Sequence, residues 1–466
     1  MTRKLTLPVV ALAGAVVLSG CQIMPTFFKP AAPVPSSYPA ADSASTKPAA
    51  DIGWDEFFQN PDLRDAISTA LNNNRDLKAA ILRIEEARAL YNIQRADQLP
   101  TINATGGVTV SRQLLAGTMR ESTVYQVGLG MAAFELDFFG RVKNLSEAAL
   151  SQYMATEEAR RAFQISLVGE VAKAWLTERA LAEQKQLAER TLKARESSRE
   201  LVKKRLDAGI ANALEFQQSE TLVQSARVSL LALRRQHALA VNALTLLTGS
   251  SVKLPPQTAT LSNQVITADI GAGLPSDLLT YRPDIRAAEQ RLRASQANIA
   301  AARAAFFPRI SLTSGVGLAS GDLGDLFEGG ARTWSFSPQL VLPIFDAGRN
   351  KAGLSLSEVR SNIAIADYEK TIQVAFREVA DALAARATLA EEIDAQKAVR
   401  DAQFERLSLA QARYQNGIAN YLDVLDAERE LFNAEQALVQ SQLLRLTNAV
   451  DLYRSLGGGV TEANKQ

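Results

Sequence analysis

The sequence predicts a mainly α chain with membrane β: an internally duplicated unit of very long helices that carries four β-strands toward a barrel shared between copies of the chain. Three observations predict it. Short motifs recur at one fixed offset of 208 residues, as in Asp76 and Asp284 or Gly209 and Gly417. A stretch of about 67 residues after Gly348 has no helix breaker except Gly353 and keeps apolar residues at heptad spacing. Four further segments alternate apolar and polar residues, the period of a strand.

Composition narrows the function classes. The chain has 466 residues and a net charge of +1, and its 76 alanines explain much of its apolar content. Alanine favours helix and buries little area, so the composition suits close helix-helix seams better than a large core. One Cys and one His exclude a disulfide framework and a Cys/His zinc site. Balanced charge without a basic block argues against a nucleic-acid partner. Beyond the N-terminus no run approaches the ~20 apolar residues of a membrane-spanning helix. There is no Gly-Lys-Ser/Thr phosphate loop and no metal-ligand cluster, and a lone His gives no nucleophile-base pair, so the chain reads as a non-enzyme with no cofactor.

Taken in order, residues 1–20 read as a cleaved secretory signal: Arg3 and Lys4 precede an apolar run from Leu5 to Leu18. Leu18-Ser19-Gly20-Cys21 resembles the bacterial lipobox. That resemblance implies cleavage before Cys21, a covalent diacylglycerol and N-acyl chain on Cys21, and, from Gln22 in place of Asp, sorting to the outer membrane. Residues 21–50 form the lipid anchor and a Pro/Ala-rich tether; six of the sixteen prolines fall in residues 22–50.

The first repeat spans 51–249 with a hairpin at 101–137, its strands at about 101–112 and 123–137. A connector, 250–282, leads to the second repeat, 283–457, with a hairpin at 309–346, and residues 458–466 form a tail. In the second repeat Pro283 and Asp284 open a helix, where a fixed φ and an acid near the dipole's positive end are both favourable. Pro308 ends it. Segments 309–320 and 333–346 then alternate, with Trp334, Phe336, Leu340, Leu342 and Ile344 on one face. Between them Gly321 to Arg332, rich in Gly and acid, reads as a solvated loop. The helix after Gly348 runs to about Gln415, roughly 100 Å at ~1.5 Å per residue. It carries Ile365, Tyr368, Ile372, Ala375, Val379, Ala382 and Leu389, and the closing helix carries Leu425, Phe432, Val439, Leu446 and Tyr453. His237 lies on the matching stripe of the first repeat and reads as an amphipathic residue at the wet edge of a seam.

Four strands of about twelve residues suit a tilted membrane crossing, but four cannot close, and an open edge in lipid leaves backbone groups unpaired at several kcal/mol each. The chain therefore has to share its barrel, and three copies give a 12-stranded one.

The stretch "LLTYRPDIRAAEQRLRASQANIAAARAAFFPRISLT" (278–313), then "PIFDAGR" (343–349) and the tandem "RLDAGIANALEFQQSE" (205–220) and "RYQNGIANYLDVLDAERELF" (413–432), resemble the TolC-like outer-membrane factors, specifically the lipoprotein branch serving resistance-nodulation-division multidrug pumps. The resemblance covers residues 50–457. It implies a homotrimer whose membrane barrel continues into a helical α-barrel across the periplasm. It also implies a periplasmic adaptor (membrane fusion) protein and an inner-membrane resistance-nodulation-division transporter as partners, outer-membrane lipid around the barrel, and passive passage of substrates.

Position by position, the resemblance makes Gly209, Ile210, Gly417 and Ile418 the adaptor-docking tips. Asp423 and Asp426, three apart and so on one helix face, match acids that face the lumen near its narrow end. Leu422 matches a constricting position, and Arg429, three beyond Asp426, is placed to pair with it. Glu215, Arg413 and Tyr414 match positions that latch neighbouring helical hairpins. Ala419 stands where some relatives have Arg, so a latch at that position is absent and Arg413 has to serve; Gln218 stands opposite Asp426 in the first repeat, so the acidic constriction is expected to be asymmetric. Two other readings compete. One is the outer-membrane channel of a type I protein-secretion system, against which the lipobox and Arg282-Pro283-Asp284-Ile285 weigh. The other is a structural periplasm-spanning coiled-coil lipoprotein, which has no use for membrane-length strands.

Overall fold

The computed structural model describes residues 27–38, 49–115, 117–254, 260–261, 266, 270–271, 273 and 275–459. The signal segment, Cys21, parts of the tether, much of the 250–282 connector and the tail beyond Gly459 lie outside the described residues. The elements run α1 (Trp54–Phe57), α2 (Pro61–Asn73), α3 (Arg75–Ala96), β1 (Ile102–Leu115), β2 (Thr118–Leu136), α4 (Arg141–Asp207), α5 (Ala213–Thr248), α6 (Pro275–Tyr281), α7 (Pro283–Ala304), β3 (Arg309–Ser320), β4 (Arg332–Val341), α8 (Arg349–Gln415) and α9 (Tyr421–Ser455). The two long helices, α4 and α8, have 67 residues each. Two compact units result: Met1–Ala31, Arg83–Glu157 and Ala287–Glu369 form one, and Ala32–Leu82, Glu158–Arg286 and Lys370–Gln466 form the other.

The first unit holds a four-stranded antiparallel sheet in the order β1-β2-β3-β4. It is a strip, with β1 and β4 at its edges. All ten residues of β4 are exposed, including Trp334 and Phe336, and an exposed apolar edge strand needs a partner. Gly128 faces Gly317 across the β2/β3 ladder, and Gly130 faces Gly315. The ladder shifts register between Met131 and Phe134, where Ala133 takes a positive φ of 47° and its N–H donates to Thr313 Oγ1 at 3.1 Å. Three details depart from the sequence reading. The first hairpin extends to Leu115 and from Thr118, because ladder bonds continue through Arg112, Gln113, Arg120 and Glu121, where the alternation has stopped. Conversely, β4 ends at Val341, so Leu342 and Ile344 lie beyond it; Pro343 has no N–H to give a ladder. The Gly321–Arg332 loop contains a 3-10 turn, Gly324–Phe327, that buries Leu326.

The second unit is helical. Leu425, Phe432, Val439, Leu446 and Tyr453 are all buried, as are Ile372, Ala375, Val379, Ala382 and Leu389; Tyr368, the heptad position before them, is buried in the first unit. Helix α4 packs against α5 and α9 through Leu187, Ala188, Leu230, Leu233 and Phe432. The duplication reaches individual contacts. Asn74 Nδ2 donates to the Leu247 carbonyl at 2.9 Å, and Arg282 Nη1 donates to the Ser455 carbonyl at the same distance, both pairs related by the repeat offset. Gly249 is left-handed (φ 68°) and so close to Asn73 that a Cβ would stand 2.7 Å from its carbonyl oxygen; Gly457 (φ 87°) approaches the equivalent Tyr281 in the same way.

His237 is partly exposed at a seam, as its stripe position predicts, and it also bonds inward. Its Nε2 lies 2.7 Å from Glu178 Oε1, and Glu178 is fully buried with Arg179 on the same carboxylate. A ring that bonds a buried carboxylate anchors a seam, whatever its outer edge touches.

Candidate functional site

The two helix-turn-helix tips are built alike, from the backbone upward. After α4 the Gly209 N–H donates to the Leu206 carbonyl and the Ile210 N–H reaches back to Arg205; after α8 Gly417 and Ile418 donate to Tyr414 and Arg413. This six-to-one closure caps the last carbonyls of each helix and needs a left-handed residue after it. Gly209 (φ 73°) and Gly417 (φ 70°) supply it, and a Cβ at either would meet nothing within 4 Å, so the constraint is conformational. Gly417→Ala should therefore destabilise the turn by about 1–2 kcal/mol without a clash. Faster hydrogen exchange at the Gly417 and Ile418 amides, with the rest of α8 unchanged, checks it.

Each returning helix is started by an asparagine. Asn212 Oδ1 accepts from the Glu215 N–H at 2.9 Å, and Asn420 Oδ1 accepts from the Asp423 N–H at 3.3 Å. Such caps satisfy donors left open at a helix start. They also fix Glu215 and Asp423 in the first turn, where the helix dipole favours an acid. At the turns Ile210 and Ile418 are each 69% exposed, with Leu214 and Leu422 exposed beside them at the starts of the returning helices.

Leu422 and Asp423 are exposed at the start of α9. Asp426 is held twice: Arg406 Nη2, from α8, bonds its Oδ2 at 2.5 Å, and Arg429 Nη2 bonds its Oδ1. Arg429 Nε also reaches Glu430 at 3.0 Å. Behind this face Val202, Tyr421, Val424 and Leu425 form a small core. Tyr414 lies between two neighbours, with the Arg205 guanidinium 4.6 Å from its ring centre and the Tyr421 ring 5.0 Å away. The Tyr421 and Ser198 hydroxyls are 2.8 Å apart. Burial pushes Tyr421 up to about 12 and raises Tyr414 as well, so both stay neutral at physiological pH. Burial also raises the Glu428 carboxyl against the opposing pull of Arg195.

The structure thus brings Asp426 and Arg429 together, while the side chain of Glu215 meets Asn212 Nδ2 at 3.4 Å and not Tyr414 or Arg413. Arg413 is exposed and forms no ion pair among the described residues. Sequence reasoning missed Arg406, Arg205, Tyr421 and Ser198. Arg406 was findable: a hairpin folded about Asn416 puts residues 406 and 426 opposite each other.

The family model described as outer membrane efflux protein matches residues 66–250 and 274–458, two segments at the same offset of 208. The chain is 47% identical over 467 residues to the outer membrane protein OprJ of Pseudomonas aeruginosa, covering 99% of this chain and 97% of that one. It is 44% identical to the probable efflux pump outer membrane protein TtgC of Pseudomonas putida, covering 97% and 95%. Among solved structures, the open state of the MtrE outer membrane channel of Neisseria gonorrhoeae matches with a TM-score of 0.88 at 39% identity, covering 96% of this chain and all of that one.

Proposed function

The chain belongs to the outer membrane efflux protein family, and from that premise we propose that it is the outer-membrane exit channel of a tripartite multidrug efflux pump. The observation that carries the mechanism is the open four-stranded strip on a duplicated long-helix scaffold. An open strip in lipid is untenable alone, and three chains supply enough strands for a barrel with a lumen. The exposed apolar residues of the helices, Val228, Leu231 and Leu239 on α5 and Val359 and Ile363 on α8 among them, supply faces for neighbouring chains.

In this reading the duct is passive and catalyses nothing, and Cys21 carries the lipid. Gly209, Ile210, Gly417 and Ile418 form the tips that meet the periplasmic adaptor, which links to a resistance-nodulation-division transporter. Leu422, Asp423, Asp426 and Arg429 form the gate, where carboxylates from three copies focus a negative potential and favour cations. Glu215, Arg413 and Tyr414 latch adjacent hairpins. Partly wet pairs of this kind are worth ~1 kcal/mol or less each, so an adaptor that binds the open form slightly better can release them.

Deletion of the gene followed by a drug-susceptibility panel tests the reading. The deletion strain should become hypersensitive to several unrelated drugs, and a tagged full-length chain should co-purify with an adaptor. Unchanged susceptibility together with a detergent-stable monomer would sink it.

A further inference from the structure

We infer that Arg406 is a selectivity-determining residue of the gate: it compensates Asp426 and thereby sets how much negative charge the constriction presents. The inference rests on the gate reading above. Arg406 comes from α8, ten residues before Asn416, and Asp426 from α9, ten residues after it. Its Nη2 bonds Oδ2 of Asp426 while Arg429 takes Oδ1, so both oxygens of the carboxylate face a guanidinium. With Glu430 on Arg429, the four groups sum to zero formal charge. Of the two acids assigned to the gate, Asp423 alone is outside any ion pair among the described residues; its backbone N–H is held by Asn420 and its side chain is exposed.

The first repeat supports treating Arg406 and Asp426 as one unit. At the positions related by the repeat offset it has Ser198 for Arg406 and Gln218 for Asp426. Cation and acid are both replaced by neutral polar side chains, and Ser198 turns to the Tyr421 hydroxyl instead. A repeat that kept the acid without the cation would add three further uncompensated charges to the trimer. Neither repeat does so.

The Arg406 and Asp426 side chains are 48% and 34% exposed, so the pair contributes little to stability and its loss should leave the fold intact. Its effect on a passing ion is different in kind. Removing the cation adds one negative charge per protomer and three per ring, acting on an ion about one Debye length, ~10 Å, away. With aqueous screening, this strengthens attraction of a divalent cation by roughly fivefold.

Full-length trimers in planar bilayers, blocked from the periplasmic side with magnesium, test the inference. Arg406→Gln should raise the blocking affinity about fivefold and increase cation preference. Arg406→Lys should restore wild-type block, and Arg406→Gln combined with Asp426→Asn should also return close to it, because the ring charge is unchanged. Asp423→Asn should lower block. If Asp423→Asn lowers block but Arg406→Gln leaves it unchanged, Arg406 does not act on the ion path and the inference is overturned while the gate reading stands. If neither variant changes block, the gate assignment itself fails. Heat-resistant trimer on a gel confirms that every variant is assembled.

Discussion

A Gly317→Leu chain is expected to be exported but to form no heat-resistant trimer, because the sheet cannot hold a side chain there. Gly317 lies opposite Gly128. A Cβ on Gly317 would run into the Val127 carbonyl oxygen and stand 2.8 Å from the Gly128 Cα; one on Gly128 would stand 2.7 Å from the Val316 oxygen. All of these obstacles are backbone, so no side chain can move aside, and the strands have to part. In lipid each ladder bond lost leaves a donor and an acceptor unpaired at several kcal/mol, so the total penalty exceeds about 3 kcal/mol. Gly128→Leu should fail in the same way. Gly107→Ala is the contrast: nothing lies within 4 Å of its Cβ position and its φ is ordinary, so trimer yield should match the wild type. Comparing the boiled and unboiled trimer bands of outer-membrane fractions separates these outcomes, and a normal Gly317→Leu trimer would mean that β2 and β3 are not so closely apposed.

The architecture was legible because its causes are periodic. A heptad repeats the same demand for burial every second turn, and the residues named from it on α8 and α9 are buried with one exception, Ile365, which is half-buried. The duplication was legible for a similar reason: each motif was seen twice, and two copies at a fixed offset reject chance matches that one would not. Strand ends were less clear. Periodicity reports which residues face which side, whereas the ladder is made by backbone and continues through Arg112 and Glu121 whatever their polarity.

The candidate site was partly legible, along the helix and not across it. Asp426 and Arg429 are neighbours in sequence, so their pairing followed from spacing. Arg406 and Ser198 reach their partners, Asp426 and Tyr421, from another helix, and i, i+3 reasoning sees only one face of one element. The same limit hid the partner of His237. Its stripe position suggested a wet edge, but the acid it meets lies 59 residues away on α4.

That acid should give the largest single effect in the helical unit. Glu178 is 0% exposed and Arg179 2%. The carboxylate receives Nε and Nη2 of Arg179 at 2.5 Å and contacts His237 Nε2 at 2.7 Å. Truncation of Glu178 to Ala removes the opposing charge from a buried guanidinium and opens a void around it, which should destabilise the unit by about 3–5 kcal/mol. Adding Arg179→Ala to Glu178→Ala should recover part of that loss, because the cost lies in the charge left behind and not in the bond removed. Replacing both by leucine should come closer still to wild type, since a buried ion pair is often no better than packed hydrocarbon of similar volume. His237→Leu should cost only about 1 kcal/mol, a single hydrogen bond at a ring that is 19% exposed. Thermal unfolding of the detergent-solubilised trimer orders the four variants. If Glu178→Ala and the double alanine variant melt together well below wild type, burial of the charge is not the source of the cost. Packing around α4 would then have to be.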